Sequence, residues 1–131
     1  MFRNVLCAVD LSPDTGRIVD WAAQFAAEFT ARVFVVHVVR GFDSEDGPQI
    51  PDDWLSQTDR EEIGRIKHRL GKDGQVLYAG GDIPEAVCSQ AKKLHADLLV
   101  IGRSPKADDV GAARTTSFTI IRESPCPVAS V

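Results

Sequence analysis

The chain has 131 residues, 44% of them hydrophobic and 26% charged, with a formal net charge of −4. That length fits one domain, residues 1–131, with enough surface to bury a full core without staples. No apolar run approaches the roughly 18 residues of a spanning helix, and an acidic chain without a basic stripe offers little to DNA or RNA phosphates. Membrane and nucleic acid are therefore excluded as partners. Met1 leads straight into "FRNVLCAVD" with no secretory leader pattern, so a cytoplasmic location is expected. The three cysteines, Cys7, Cys88 and Cys126, are widely spaced. They form neither a disulfide framework nor a C-x-x-C pair, and read as buried, reduced thiols.

"NVLCAVD" (4–10) is a nearly continuous apolar run, the pattern of a strand buried on both faces. A helix follows, with Ser12 suited to cap it, Pro13 to its first position, and Ile18, Ala22, Phe25, Ala26 and Phe29 on one face. "ARVFVVHVV" predicts a second buried strand, and "GFDSEDGPQIPDD" a loop. A helix is expected from Asp53 to Leu70 on the stripe Leu55, Ile63, Ile66 and Leu70, ended by Gly71 and Gly74. "QVLYA" is a third strand. Asp82 and Glu85 resemble a capping box opening a helix whose buried stripe is Ile83, Val87, Ala91 and Leu94. "DLLVIG" is a fourth strand, a fourth helix runs from about Thr115 to Glu123, and "PCPVASV" closes the chain as a short strand.

Strand and helix alternate throughout, which requires crossover connections and a mostly parallel, doubly wound sheet with helices on both faces. Ligands of such sheets sit beyond the carboxyl ends of the strands, where strand order reverses. Two places on the chain therefore matter: Asp10 after the first strand, and the loop after Gly102 at the end of the fourth. Pro125 and Pro127 cannot donate to a ladder, so the last strand belongs at an edge open to a second chain.

"NVLCAVDLSPDTGRIVDWAAQFA", "VFVVHVV", "HADLLVIGRS" and "SPCPVASV" together, in this order, resemble the universal stress protein family. The resemblance covers nearly the whole chain. It implies a five-stranded parallel, Rossmann-like sheet of order 3-2-1-4-5 with Asp10 and Gly102 together at the switch point, and a homodimer through the C-terminal strand.

ATP-binding members resemble one another in a G-x-x-G pattern, a variable stretch, and G-S or G-T at a helix start. Glycines let backbone N–H groups approach phosphate closely, and the hydroxyl adds a donor at the positive end of a helix dipole. Here Gly102 keeps the first position, whereas Pro105 replaces the second glycine, removing an N–H and pushing Ser104 toward extended backbone. Counting back from "SPCPV", Arg114 and Thr115 fall where the last glycine and its hydroxyl partner would be. Counting forward from Gly102 puts Thr115 and Thr116 there, and in either register that glycine is missing. Arg103, Lys106 and Arg114 could bind phosphate by charge-assisted bonds, opposed by Asp108 and Asp109. By family position Asp10 lies near the adenosine and Val39 on the adenine side. Asp10 also suits a cap on the turn into the first helix, and core packing accounts for Val39 equally well.

No nucleophile elbow, metal spacing, Walker A pattern or full dinucleotide fingerprint appears, so no enzyme activity is assigned. A phospho-acceptor receiver domain would need an aspartate ending the third strand and a lysine after the fifth, and neither is present. His37 reads as a hydrogen-bonded core histidine, and His68 and His95 as helix C-terminal residues. The sequence thus reads as a stress-response regulatory domain with a degenerate nucleotide loop, ATP binding weakened or lost, and a protein as its partner. The alternative is an ATP-binding domain that uses Asp10, Gly102 and Thr115.

Overall fold

A computed structural model describes residues 2–42, 46–103 and 110–131, and over 110–115 the backbone alone. The strands are β1 (Asn4–Val9), β2 (Arg32–Val39), β3 (Gly74–Gly80), β4 (Leu98–Ile101) and β5 (Val128–Ser130). Between them run α1 (Thr15–Glu28), α2 (Gln57–Leu70), α3 (Ile83–Lys93) and α4 (Val110–Glu123). The five strands form one sheet of order β3-β2-β1-β4-β5, and every neighbouring pair is parallel. This is the doubly wound order that the family resemblance implied.

Alternation along the strands divides the core in two. Val5, Cys7 and Val9 of β1 pack with Ile18 and Ala22 of α1 and with Ile63 and Ile66 of α2. Leu6 faces the other way and joins Val36, Leu99 and Ile101 beneath Val87 and Ala91 of α3 and Ile120 of α4. Burial on both faces explains why β1, β2 and β4 read as unbroken apolar runs.

Helix boundaries depart from the sequence reading where local chemistry is finer than periodicity. Ser12 and Pro13 do not open α1. The Ser12 carbonyl accepts the Thr15 amide at 3.0 Å, and Asp14 occupies the cap position without a side-chain cap bond. Phe29 ends that helix and is exposed rather than buried on its face. The segment expected to be helical from Asp53 is a short 3-10 turn at Asp52–Trp54, and α2 starts after Ser56, whose side chain accepts the Asp59 amide. Gly71 ends α2 in the left-handed region at φ 69°. The Asp82 carboxylate accepts the Glu85 amide at 3.2 Å, half of the expected capping box. α4 begins at Val110, several residues before Thr115.

The thiols also differ from one another. Cys7 is fully buried, whereas Cys88 and Cys126 are half-buried. Burial pushes the Cys7 thiol up to about 12. His37 is hydrogen-bonded as expected, with Nδ1 3.2 Å from the Val9 carbonyl, but it is half-buried rather than a core residue. A carbonyl only accepts, so Nδ1 carries the proton.

Asp97 fixes the register at the amino ends of β1 and β4. Its Oδ2 accepts the Arg3 amide at 2.6 Å and the Asn4 amide at 2.9 Å. The Asn4 amide, then that of Arg3, hold the carboxyl below its ordinary 3.8. A depressed carboxyl contributes stability that is present above the unfolded value and lost as pH falls through the folded one. Asp97→Asn should therefore cost about 1–2 kcal/mol at neutral pH, after discounting charged hydrogen bonds for solvent screening. It should also flatten the acid limb of stability below pH ~4, read by urea unfolding from pH 2 to 7. An unchanged acid limb would show that Asp97 does not carry this linkage.

Candidate functional site

The sheet order places the carboxyl ends of β1 and β4 side by side, with Cys7 opposite Val100. From there β1 runs on into Asp10 and β4 into Gly102. A crevice of about 420 Å³ opens at this switch point, within the range of small-molecule sites. Its lining includes Asp10, Ser12, Ile18, Gly102, Arg103 and Thr116 among the described residues. The walls are largely apolar, with Val38 from β2, Ile83 and Val87 from α3 and Ile120 from α4.

Several candidate residues are thus brought together, and two amides among them, those of Ser12 and Arg103, are already engaged. The Asp10 Oδ1 accepts the Ser12 amide at 2.9 Å, closing a turn in which Leu11 takes φ 60°. A left-handed leucine costs about 1–2 kcal/mol, and this turn aims the start of α1 at the crevice. A Cβ at Gly102 would meet Ile18 Cδ1 at 2.6 Å, the end of a side chain that can turn aside. The Arg103 amide donates to the Val131 carbonyl at 2.9 Å, continuing the β4–β5 ladder. The first amide after the loop glycine is therefore spent within the sheet.

Val39 does not line the crevice. It is buried in the α1–α2 side of the core and pairs with Gly80, while its neighbour Val38 lines the pocket. His37, on the same face of β2 as Val39, also lines it, so the crevice meets residues of both faces of the strand. Ile83, expected in the buried stripe of α3, is 49% exposed and forms part of the crevice wall. Ser104 lies outside the described residues, as do Pro105, Lys106, Asp108 and Asp109, and so do the side chains of Arg114 and Thr115. Their backbone falls in the second turn of α4. The amides there point to carbonyls one turn back, beyond the orphan donors of a helix start.

The sequence profile of the Universal stress protein family matches residues 1–131. The chain belongs to this family. Universal stress protein A homolog 1 of Coxiella burnetii is 28% identical over 109 residues, 77% of this chain and 76% of that protein. The sensor protein KdpD of Mycobacterium tuberculosis is 28% identical over 107 residues, which are 80% of this chain but 11% of KdpD. This chain therefore spans only a small part of that relative. Among solved structures, a universal stress protein in complex with cAMP superposes with a TM-score of 0.72 at 24% identity, covering 99% of this chain and 96% of that one. The universal stress protein family protein of Arabidopsis thaliana with AMP bound gives 0.62 at 17% identity, covering 98% and 90%. At these identities the likeness shows the shared fold.

Among the described residues no helix is long and apolar enough to cross a membrane. No group of three or more His, Cys, Asp or Glu that could hold a metal occurs among them either.

Proposed function

We propose that this universal stress protein domain is a cytoplasmic regulatory module, without enzyme activity, whose crevice takes a nucleoside monophosphate and grips a triphosphate weakly. One observation carries the reading: the Arg103 amide is already bonded to Val131, so the start of the loop offers phosphate one donor fewer. Pro105 removes another. What remains is an apolar pocket of about 420 Å³ with a carboxylate, Asp10, at its rim. That suits a base and ribose better than a polyphosphate. The cAMP and AMP complexes of other members, each with a single phosphate, agree with this.

Calorimetric titration of the protein with AMP, cAMP and ATP, with and without magnesium, tests it. AMP should bind at least as tightly as ATP, magnesium should change little, and Asp10→Ala should weaken AMP roughly tenfold, about 1.4 kcal/mol. ATP binding a hundredfold tighter than AMP would instead support the polyphosphate site of Asp10, Gly102 and Thr115. The absence of binding by every nucleotide would leave an interaction module with a protein partner.

The same proposal makes the protein a homodimer through β5. Among the described residues that strand pairs only with β4, and Phe118 and Ile121 of α4 stand exposed at 63% and 48%. An open edge is a template for a second chain, and exposed apolar side chains offer it surface to bury. Sedimentation of the calorimetry samples measures the mass directly, and a monomer at micromolar concentration would refute this half.

A further inference from the structure

Cys88 and Cys126 border the same turn at the end of α4. The Cys88 Sγ lies 3.9 Å from the Ile120 carbonyl. That carbonyl accepts the Ser124 amide at 2.9 Å, and the Ser124 hydroxyl lies 3.7 Å from the Cys126 Sγ. Both sulfurs thus flank one helical turn, whose pitch is about 5.4 Å. Cys88 is held in the middle of α3, while Cys126 sits in the Ser-Pro-Cys-Pro connection from α4 to β5, outside any helix or strand. A disulfide requires the α-carbons within roughly 4.4–6.8 Å, and the movement that closes it falls to the connection, against the bonds of the Cys126 amide and carbonyl to the Ser124 hydroxyl.

We propose that Cys88 and Cys126 are a peroxide-responsive dithiol that closes to a reversible disulfide joining α3 to the α4–β5 connection. One thiolate attacks the hydroperoxide, takes one oxygen as a sulfenic acid and releases water or an alcohol. The second sulfur then attacks the sulfenic sulfur and displaces water. Two thiols lose two protons and two electrons, and the O–O bond is reduced. Cys126 reacts first, because it lies outside the regular elements whereas Cys88 is held within α3. Cys88 resolves the intermediate.

Burial raises both thiols, Glu123 adds to the effect at Cys88 and Asp97 at Cys126, and the Ser124 hydrogen bond opposes it only at Cys126. The reaction is accordingly slow at neutral pH and accelerates as pH rises. Cys7, sealed in the core, is the internal reference. The bond would close beside the crevice, since Val87 and Ile120 line its wall.

The test exposes the full chain to hydrogen peroxide at mildly alkaline pH, alkylates residual thiols in denaturant, and reads intact mass and a non-reducing peptide map. The expected result is loss of two hydrogen masses per chain, a single Cys88–Cys126 cross-linked peptide, one alkylated cysteine at position 7, and full reversal by dithiothreitol. Cys88→Ser and Cys126→Ser should each abolish the cross-link, while Cys7→Ser should leave it intact. Cys88→Ala and a circular dichroism spectrum show that any loss is not misfolding. Three alkylated thiols, oxygen added without a cross-link, or a cross-link between chains would each overturn the proposal.

Discussion

Gly80→Ala should destabilise the protein by about 3–5 kcal/mol, among the largest effects of any single methyl addition. Gly80 ends β3 opposite Val39, and a Cβ built on it would lie 1.6 Å from the Phe42 carbonyl oxygen and 2.6 Å from the carbonyl carbon. The obstacle is backbone, so no rotamer change relieves it. Either the chain after β2 lifts off β3 or the β2–β3 ladder opens at its carboxyl end. The former also shifts Phe42, which is buried in the core and meets Trp54 edge-on at 5.7 Å. Gly64→Ala makes the same chemical change inside α2, where nothing lies within 4 Å of the new methyl. There the helix gains about 0.5–1 kcal/mol from reduced backbone freedom. Urea unfolding of both variants checks the pair. Equal midpoints would mean that the approach of Phe42 to Gly80 does not constrain the fold.

The sheet was legible because its inner strands carry a redundant signal. β1, β2 and β4 are buried on both faces, so each is a short apolar run between polar turns, and the alternation with helices leaves a parallel sheet as the solution. Helix starts were less so. α4 begins with Val-Gly-Ala-Ala-Arg, whose small residues give no apolar stripe, so periodicity detects the helix only later, near Thr115. At α1 the Ser12-Pro13 pair looked like an opening, but the chain uses Ser12's carbonyl in a turn before the helix begins. At α1 hydrogen bonds within a few residues decided the boundary, and side-chain pattern did not register them.

The site was legible in position but not in face or occupancy. Asp10, Gly102, Arg103 and Thr116 do share one crevice, as the switch-point rule requires. Val38 and His37 rather than Val39 line it, residues of both faces of β2, and an apolar run does not show where along the strand the crevice begins. Ile83 continues α3's apolar stripe, yet the first turn of α3 overhangs the crevice instead of the core. The fate of the Arg103 amide depends on Val131 lying alongside, a contact between residues far apart in sequence. Gly102 looked like a phosphate glycine, and among the described residues its close neighbour is the movable end of the Ile18 side chain.

Leu99→Ala should cost about 3–4 kcal/mol, in the middle of the range for buried leucine truncation. Leu99 is fully buried in β4, opposite Leu6 in β1 and Val128 in β5, so hydrogen-bonded strands hold its backbone on both sides. Its side chain packs in the cluster that contains Val36, Ile101 and Ile120. A sheet flanked in this way cannot close over the missing atoms, so a cavity term adds to the lost transfer energy. Ile121→Ala removes as many apolar atoms from the exposed side of α4 and should change monomer stability by less than about 0.5 kcal/mol. The comparison separates burial from hydrophobicity as such. Because Ile101 and Ile120 also line the crevice, the cavity left at Leu99 lies directly behind its floor. Thermal and urea unfolding of the two variants at equal concentration give the ratio, and a cost below 1 kcal/mol for Leu99→Ala would mean that this half of the core repacks freely.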